Sequence, residues 1–247
     1  MDPGAGVNLF TDTLKWFSEP THYQGSDAVQ VRILEHLELS GLAVLIAAAI
    51  VLPIALYSGH TGRFGFLAIN VTNVGREVPY LALLAFALPI SFTLGLGLGF
   101  WPTLIALVPL AMPPILTNTY VAIRNVDRDV TEAARGIGLS EGDILRRIEV
   151  PLGASLILAG MRTATVNVVA TATLGALVAG GGLGRYIVDG LALQEYDRLF
   201  VGALLVAGRA ILVGLASCPF DRLAVSPGLR AAAATCQPST AHRPGRR

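Results

Sequence analysis

From Val78 to Ile123 the chain runs for 46 residues without a single Asp, Glu, Lys or Arg, bounded by Glu77 and Arg124. A helix needs roughly 20 apolar residues to cross a hydrocarbon core of about 30 Å. The run is therefore too long for one crossing and long enough for two. Gly95, Gly97 and Gly99, then Trp101-Pro102, mark the break between them. Gly95 and Gly99 also have a GxxxG spacing that allows close helix contact, so turn and contact are both open readings. Leu39 to Tyr57 is a further charge-free run of 19, and Thr163 to Gly184 one of 22. Leu199 to Cys218 has span length but contains Arg209, expected to snorkel or to face a partner.

These runs predict an all-α, polytopic membrane protein with about five transmembrane helices. Phe64 to Asn73 is apolar enough to start the second helix early, which would place Arg76 and Glu77 inside it. Leu152 to Met161 leads smoothly into the fourth, which would put Arg162 about 15 Å beyond Leu152, near mid-membrane. The expected organisation is an N-terminal segment over 1–38, a transmembrane domain over 39–218 with a loop at 124–150, and a tail over 219–247 without fixed structure. In the N-terminal segment Val29, Ile33, Leu34 and Leu37 share a helical stripe, and Trp16 and Phe17 sit beside Lys15 and Glu19. That pattern suits an interfacial helix. The first 38 residues are polar and mixed, so no cleavable signal peptide is expected.

Orientation follows from Lys and Arg in short loops. Arg124, Arg128, Arg135, Arg146 and Arg147 lie between the third and fourth spans; Arg222, Arg230, Arg243, Arg246 and Arg247 follow the fifth. With five crossings both groups share one side, the inside, and the N-terminus lies outside.

Composition narrows the function. Hydrophobic residues make up 53% and charged residues 14%, against about 25% charged in an ordinary soluble domain. A net charge of +1 gives no electrostatic reason to expect a nucleic-acid partner. Cys218 and Cys236 cannot build a disulfide framework or a zinc cluster, and His22, His36, His60 and His242 are scattered without metal-ligand spacing. Neither a metal nor a cofactor is expected. The only lysine is Lys15, followed by Trp16. A phosphate-binding Walker loop needs Gly-Lys-Ser/Thr, so any ATP that drives this chain binds to another one.

The most specific segment lies between the third and fourth spans, from Thr131 to Pro151. Glu132 to Ile137 is helix-compatible, and Gly138 can take the left-handed backbone that ends a helix. Ser140 with Asp143 resembles a capping box for a second helix. Leu139, Ile144, Leu145 and Ile148 give that helix an apolar face; Arg146, Arg147 and Glu149 give it a charged one. Pro151 starts the next membrane helix. The expected result is a two-helix elbow.

This segment resembles the signature of ABC importer permease subunits: Glu-Ala-Ala, three residues, Gly, nine residues, Ile, one residue, Leu-Pro. Glu132, Ala133, Ala134, Gly138, Ile148 and Pro151 stand at the right places, with Val150 where Leu is usual. Glu35–Ser40, Arg76–Pro79, Pro113–Tyr120, Ala159–Ala164 and Gly180–Gly184 are similar to the branch that imports glycine betaine, carnitine, choline or proline betaine. The resemblance fades after Ala207. It implies a type I importer permease in the bacterial inner membrane. Its implied partners are a second permease subunit, two ATP-binding subunits gripping the elbows, and an extracytoplasmic solute-binding protein. The elbow residues would then couple the pore to the ATPase.

Charges at membrane depth cost about 2.5–3.5 kcal/mol on translocon scales. Arg76, Glu77 and Arg162 are therefore expected to line or gate a pore, or to pair as Glu77 with Arg162 between helices. Asn118, Tyr120, Thr163, Thr165 and Asn167 can line the same path or hydrogen-bond between helices. Gly180 to Gly184 follows a membrane helix without a lysine, so it reads as an outer turn rather than a phosphate loop. The competing functions are a permease for another small solute (an amino acid, methionine or a sulfonate) and an ATP-independent secondary carrier. The carrier would call for inverted repeats, and none is evident. A membrane-embedded enzyme comes third, because no catalytic constellation is visible.

Overall fold

The computed structural model describes residues 9–25, 27–63, 70 and 77–224, and every regular element among them is helical. Helix α1 (Leu9–Ser18) and a 3₁₀ turn (Pro20–Tyr23) lead into α2 (Val29–Thr61). The apolar stripe from Val29 carries α2 upstream of the charge-free run, so the expected boundary at residue 38 falls inside a helix. Gly62, at φ 70°, ends α2 in the left-handed region that favours glycine.

The next helix is α3 (Tyr80–Thr93), apolar but only 14 residues long, shorter than the full span expected there. Here the structure corrects the expectation of one unbroken helix from Phe64 into this span: Glu77 is still helical, and the break follows it. Val78 and Pro79 are not helical, and Pro79 holds extended backbone at ψ 134°. The proline ring drives the preceding residue out of the α region, so the chain breaks there. Glu77 is exposed beside that break. Arg76, and all of 64–73 but Asn70, lie outside the described residues. Gly95, Gly97 and Gly99 all have positive φ, which settles their role as a turn.

Helix α4 (Phe100–Arg124) forms the centre, flanked by α2 and by α7 (Val150–Thr171). Ala43, Ala47, Ala55, Leu107, Ala111, Ile115, Ala164 and Val168 are fully enclosed where these helices meet. Lipid tails are as apolar as leucine, so membrane helices associate through close packing, which small residues permit. A Cβ added to Gly160 would lie 2.6 Å from Asn118 Cβ and 2.9 Å from the Pro114 carbonyl. The backbones of α4 and α7 approach because that position is glycine.

Between α4 and α7 lie α5 (Arg128–Gly136) and α6 (Glu141–Ile144), the latter joined to α7 through a π turn at Leu145–Glu149. A 3₁₀ stretch (Ala172–Val178), α8 (Gly184–Leu193) and α9 (Tyr196–Ala224) complete the order. Helix α2, helix α4 and the continuous rod Glu141–Val178 are long and apolar enough to cross a membrane. The rod carries Arg162 inside it, as the longer reading of that span expects. Helix α9 continues to Ala224, past the expected boundary at 218. Each residue added to a formed helix gains a hydrogen bond, so polar composition alone does not stop one. Arg209 neither snorkels nor reaches outward. It is 8% exposed, and its Nη1 donates to the Ile33 carbonyl of α2 at 2.9 Å.

Candidate functional site

The elbow is built by local rules. Asp127 caps α5 by accepting from the Asp129 amide at 3.0 Å. At the other end Gly138 has φ 87°. The Leu139 amide donates to the Ala134 carbonyl at 3.1 Å and the Gly138 amide to the Arg135 carbonyl at 2.9 Å. This paired closure is a Schellman stop. Two residues later Ser140 caps α6: its Oγ accepts from the Asp143 amide at 3.2 Å and donates to Asp143 Oδ2 at 2.7 Å. The two arms are then locked across the bend. Arg135 donates from Nε and Nη2 to the two Glu141 oxygens at 2.7 and 3.0 Å. That bidentate contact holds Arg135 above its ordinary pKa.

The elbow has an inner and an outer face. Thr131, Ala134 and Ile144 are buried against the bundle. Glu132, Ala133, Arg135, Gly138 and Pro151 are exposed, and Ile148 is half-buried. Val130 is 42% and Ile137 80% exposed, an apolar pair presented to whatever sits beyond. The signature residues thus divide. Ala134, Gly138 and Pro151 shape the elbow, while Glu132 and Ala133 face outward beside Ile137.

Glu149 departs from the expected charged face. Arg146 and Arg147 are exposed as that face requires, but Glu149 is 5% exposed. The π turn inserts one extra residue into the helical count and rotates Glu149 inward. There it meets His60, whose Nδ1 stands 2.7 Å from Glu149 Oε2 and whose Nε2 stands 3.0 Å from Glu141 Oε2. The sequence reading counts His60 among four scattered histidines. Its one local signal, a polar ring where a long apolar run ends, gains meaning only once the elbow folds back onto α2.

A second feature lies along α7. Ala159, Arg162, Thr163, Val166 and Asn167 line a groove of about 350 Å³. The spacing of three and four residues places them on one helix face. Arg162 is half-buried there, whereas Thr163 and Asn167 are exposed. Asn118 is not among them. It sits on α4 against Gly160 and donates within its own helix to the Pro114 carbonyl at 2.8 Å. Thr163 and Thr165 also bond back within their helix, to Ala159 and Met161. Among the described residues no group of three or more His, Cys, Asp or Glu is placed to hold a metal ion.

Residues 49–225 match the model of the family described as binding-protein-dependent transport system inner membrane component. The choline transport system permease protein OpuBB of Bacillus subtilis (strain 168) is 33% identical over 196 residues, covering 79% of this chain and 88% of that one. The carnitine transport permease protein OpuCB of Listeria monocytogenes is 36% identical over 186 residues, covering 75% and 83%. Among solved structures, an inward-facing form of the MetNI methionine ABC transporter superposes with a TM-score of 0.72 at 18% identity, covering 84% of this chain and 99% of that one. The fold is that of a type I importer permease.

Proposed function

The chain belongs to the family of binding-protein-dependent transport system inner membrane components, and on that premise we propose that it forms half of a pore for a quaternary ammonium compatible solute. Glycine betaine, choline, carnitine and proline betaine are the solutes in view. Relatives named for choline and carnitine transport support this choice. The observation that carries the reading is the elbow: two capped arms, locked by Arg135 and Glu141, presenting Val130 and Ile137 outward.

In this reading a second permease copy or a paralogue completes the pore in the bacterial inner membrane. Two separate ATPase subunits dock on the elbows from the cytoplasm, and a solute-binding protein delivers from outside. ATP binding draws the ATPase pair together, the elbows follow, and the pore turns outward. Hydrolysis resets it. This chain supplies the docking face and the passage, and the ATPase supplies the chemistry. The α7 groove with Arg162, Thr163 and Asn167 would face the partner half across the passage, which gives the arginine a polar setting.

Uptake of labelled glycine betaine into proteoliposomes holding the whole assembly tests the reading. Accumulation that requires ATP supports it; accumulation without ATP indicates a secondary carrier. Arg162→Leu should reduce uptake while leaving assembly intact. Preserved transport with preserved assembly would remove Arg162 from the passage.

A further inference from the structure

We propose that His60 is the positioning residue that fastens the elbow to the first crossing helix, so that a push on the elbow moves α2. The inference rests on reading the elbow as the ATPase lever.

His60 stands in the last turn of α2, just before Gly62 ends the helix. Its contacts reach across 89 residues of sequence to Glu149. The two ring nitrogens grip opposite sides of the bend. Nδ1 meets Glu149 of the π turn at 2.7 Å, and Nε2 meets Glu141 of α6 at 3.0 Å. Glu141 is in turn held by Arg135 of α5. One ring therefore joins α2 to every part of the elbow. Each ring nitrogen thus lies within hydrogen-bond distance of a carboxylate oxygen.

The surroundings favour a firm contact. The side chains of His60 and Glu149 are 10% and 7% exposed. Hydrogen bonds strengthen where water is excluded, and a buried carboxylate without its partner is costly. The end of α2 is also pressed against the end of α4: a Cβ on Gly59 would lie 2.8 Å from Ile123 Cβ. A Cβ on Gly62 would likewise lie 3.0 Å from Arg124 Nη1 of α4. The charged groups that meet the ring are thus Glu149 and Glu141, with Arg135 behind Glu141. A planar ring with two rotatable bonds and two opposed nitrogens fixes direction as well as distance. An apolar side chain there would let the elbow slide.

The test uses the intact complex of permease, ATPase and binding protein in proteoliposomes, with ATP hydrolysed and solute taken up measured together. His60→Leu should keep hydrolysis while uptake per ATP falls at least about fivefold, the low end of a site-to-site coupling. His60→Arg, whose planar fork can meet both carboxylates, should return it to within about twofold of the parent. Since His60→Leu leaves Glu149 buried and unpaired, a second variant, His60→Leu with Glu149→Leu, removes that burden while leaving the clamp broken. It should assemble and stay uncoupled. Parental coupling in this double variant, or equal losses in His60→Leu and His60→Arg, overturns the proposal.

A transport-free readout stands beside it. With Cys218 and Cys236 changed to Ser, Thr61→Cys and Gly142→Cys should join through a short bis-maleimide in membranes holding the permease. His60→Leu should abolish that link, and an undiminished link overturns the positioning role. Failure of the parent complex to show ATP-dependent uptake would defeat the proposed function instead, and the cross-link would still decide the clamp.

Discussion

The two ends of the bundle are held by different means. At the end opposite the elbow, several segments brace one another. Trp16 of α1, Val29 of α2, Tyr186 of α8 and Val201 of α9 share one buried cluster with Leu183. The Trp16 and Tyr186 rings meet edge to face at 5.6 Å. Tyr186 donates its hydroxyl to the Asp27 carbonyl at 2.6 Å. Glu35 of α2 takes the Gly182 amide at 2.9 Å, and His36 Nε2 contacts the Val169 carbonyl at 2.9 Å. At the elbow end, among the described residues, His60 ties α2 to Glu149 and Glu141, and apolar side chains stay exposed. The difference is one of how many segments each end ties together. The braced end joins several helices at once, and the elbow end ties α2 alone to the bend while leaving Val130 and Ile137 exposed.

The largest effect should come from the braced end. Tyr186→Ala removes an enclosed ring, its hydroxyl bond and the seat of Trp16. Truncations of this kind cost about 3–5 kcal/mol. Thermal unfolding of the solubilised chain should show that loss, with ATPase binding to the surviving fold unchanged. If stability barely moved, the brace would lie elsewhere and the contrast would fail. The elbow should behave in the opposite way. Ile137→Asp changes a side chain that is 80% exposed, so stability should stay within about 0.5 kcal/mol. Binding of the ATPase subunit, measured by titration, should weaken at least about tenfold, as when an interface anchor is lost. Unchanged binding would take Ile137 out of the docking face.

These two ends also differed in how much their sequence told. The elbow was readable because its instructions are local. Gly138 for the left-handed stop and Ser140 with Asp143 for the cap act within a few residues. Charge-free runs likewise announced the membrane helices. What stayed hidden depends on distant contacts or on a change of helical period. The π turn that buries Glu149 alters the count of residues per turn, which no 3.6-residue pattern reveals. His60 and Arg209 look out of place in apolar helices until Glu149 and the Ile33 carbonyl come beside them. Pro79 is the instructive case, since the break was written in the residue itself. Apolar continuity from Phe64 points the other way, and the proline decides.

Smaller effects separate the two ends more finely. Ser140→Ala deletes the α6 cap and should cost about 1 kcal/mol, the usual loss for such a position. Amide exchange over Glu141–Ile144 should quicken while the braced end keeps its protection. The smallest effect is electrostatic. Hydrogen bonding from Arg32, aided by Arg32, Arg185 and Arg198 as nearby charges and opposed by burial, holds Asp27 below the usual carboxylate range. A folded-state pKa lower than the unfolded one contributes stability above the unfolded value and loses it as pH falls through the folded one. The melting temperature of the parent should therefore exceed that of Asp27→Asn by a constant margin above about pH 5, and the margin should close under stronger acid. Because Asp27 is largely exposed, added salt should narrow the margin at any pH. A margin that survives both acid and salt would take the carboxylate charge out of the brace, leaving the side chain's neutral contacts as its source.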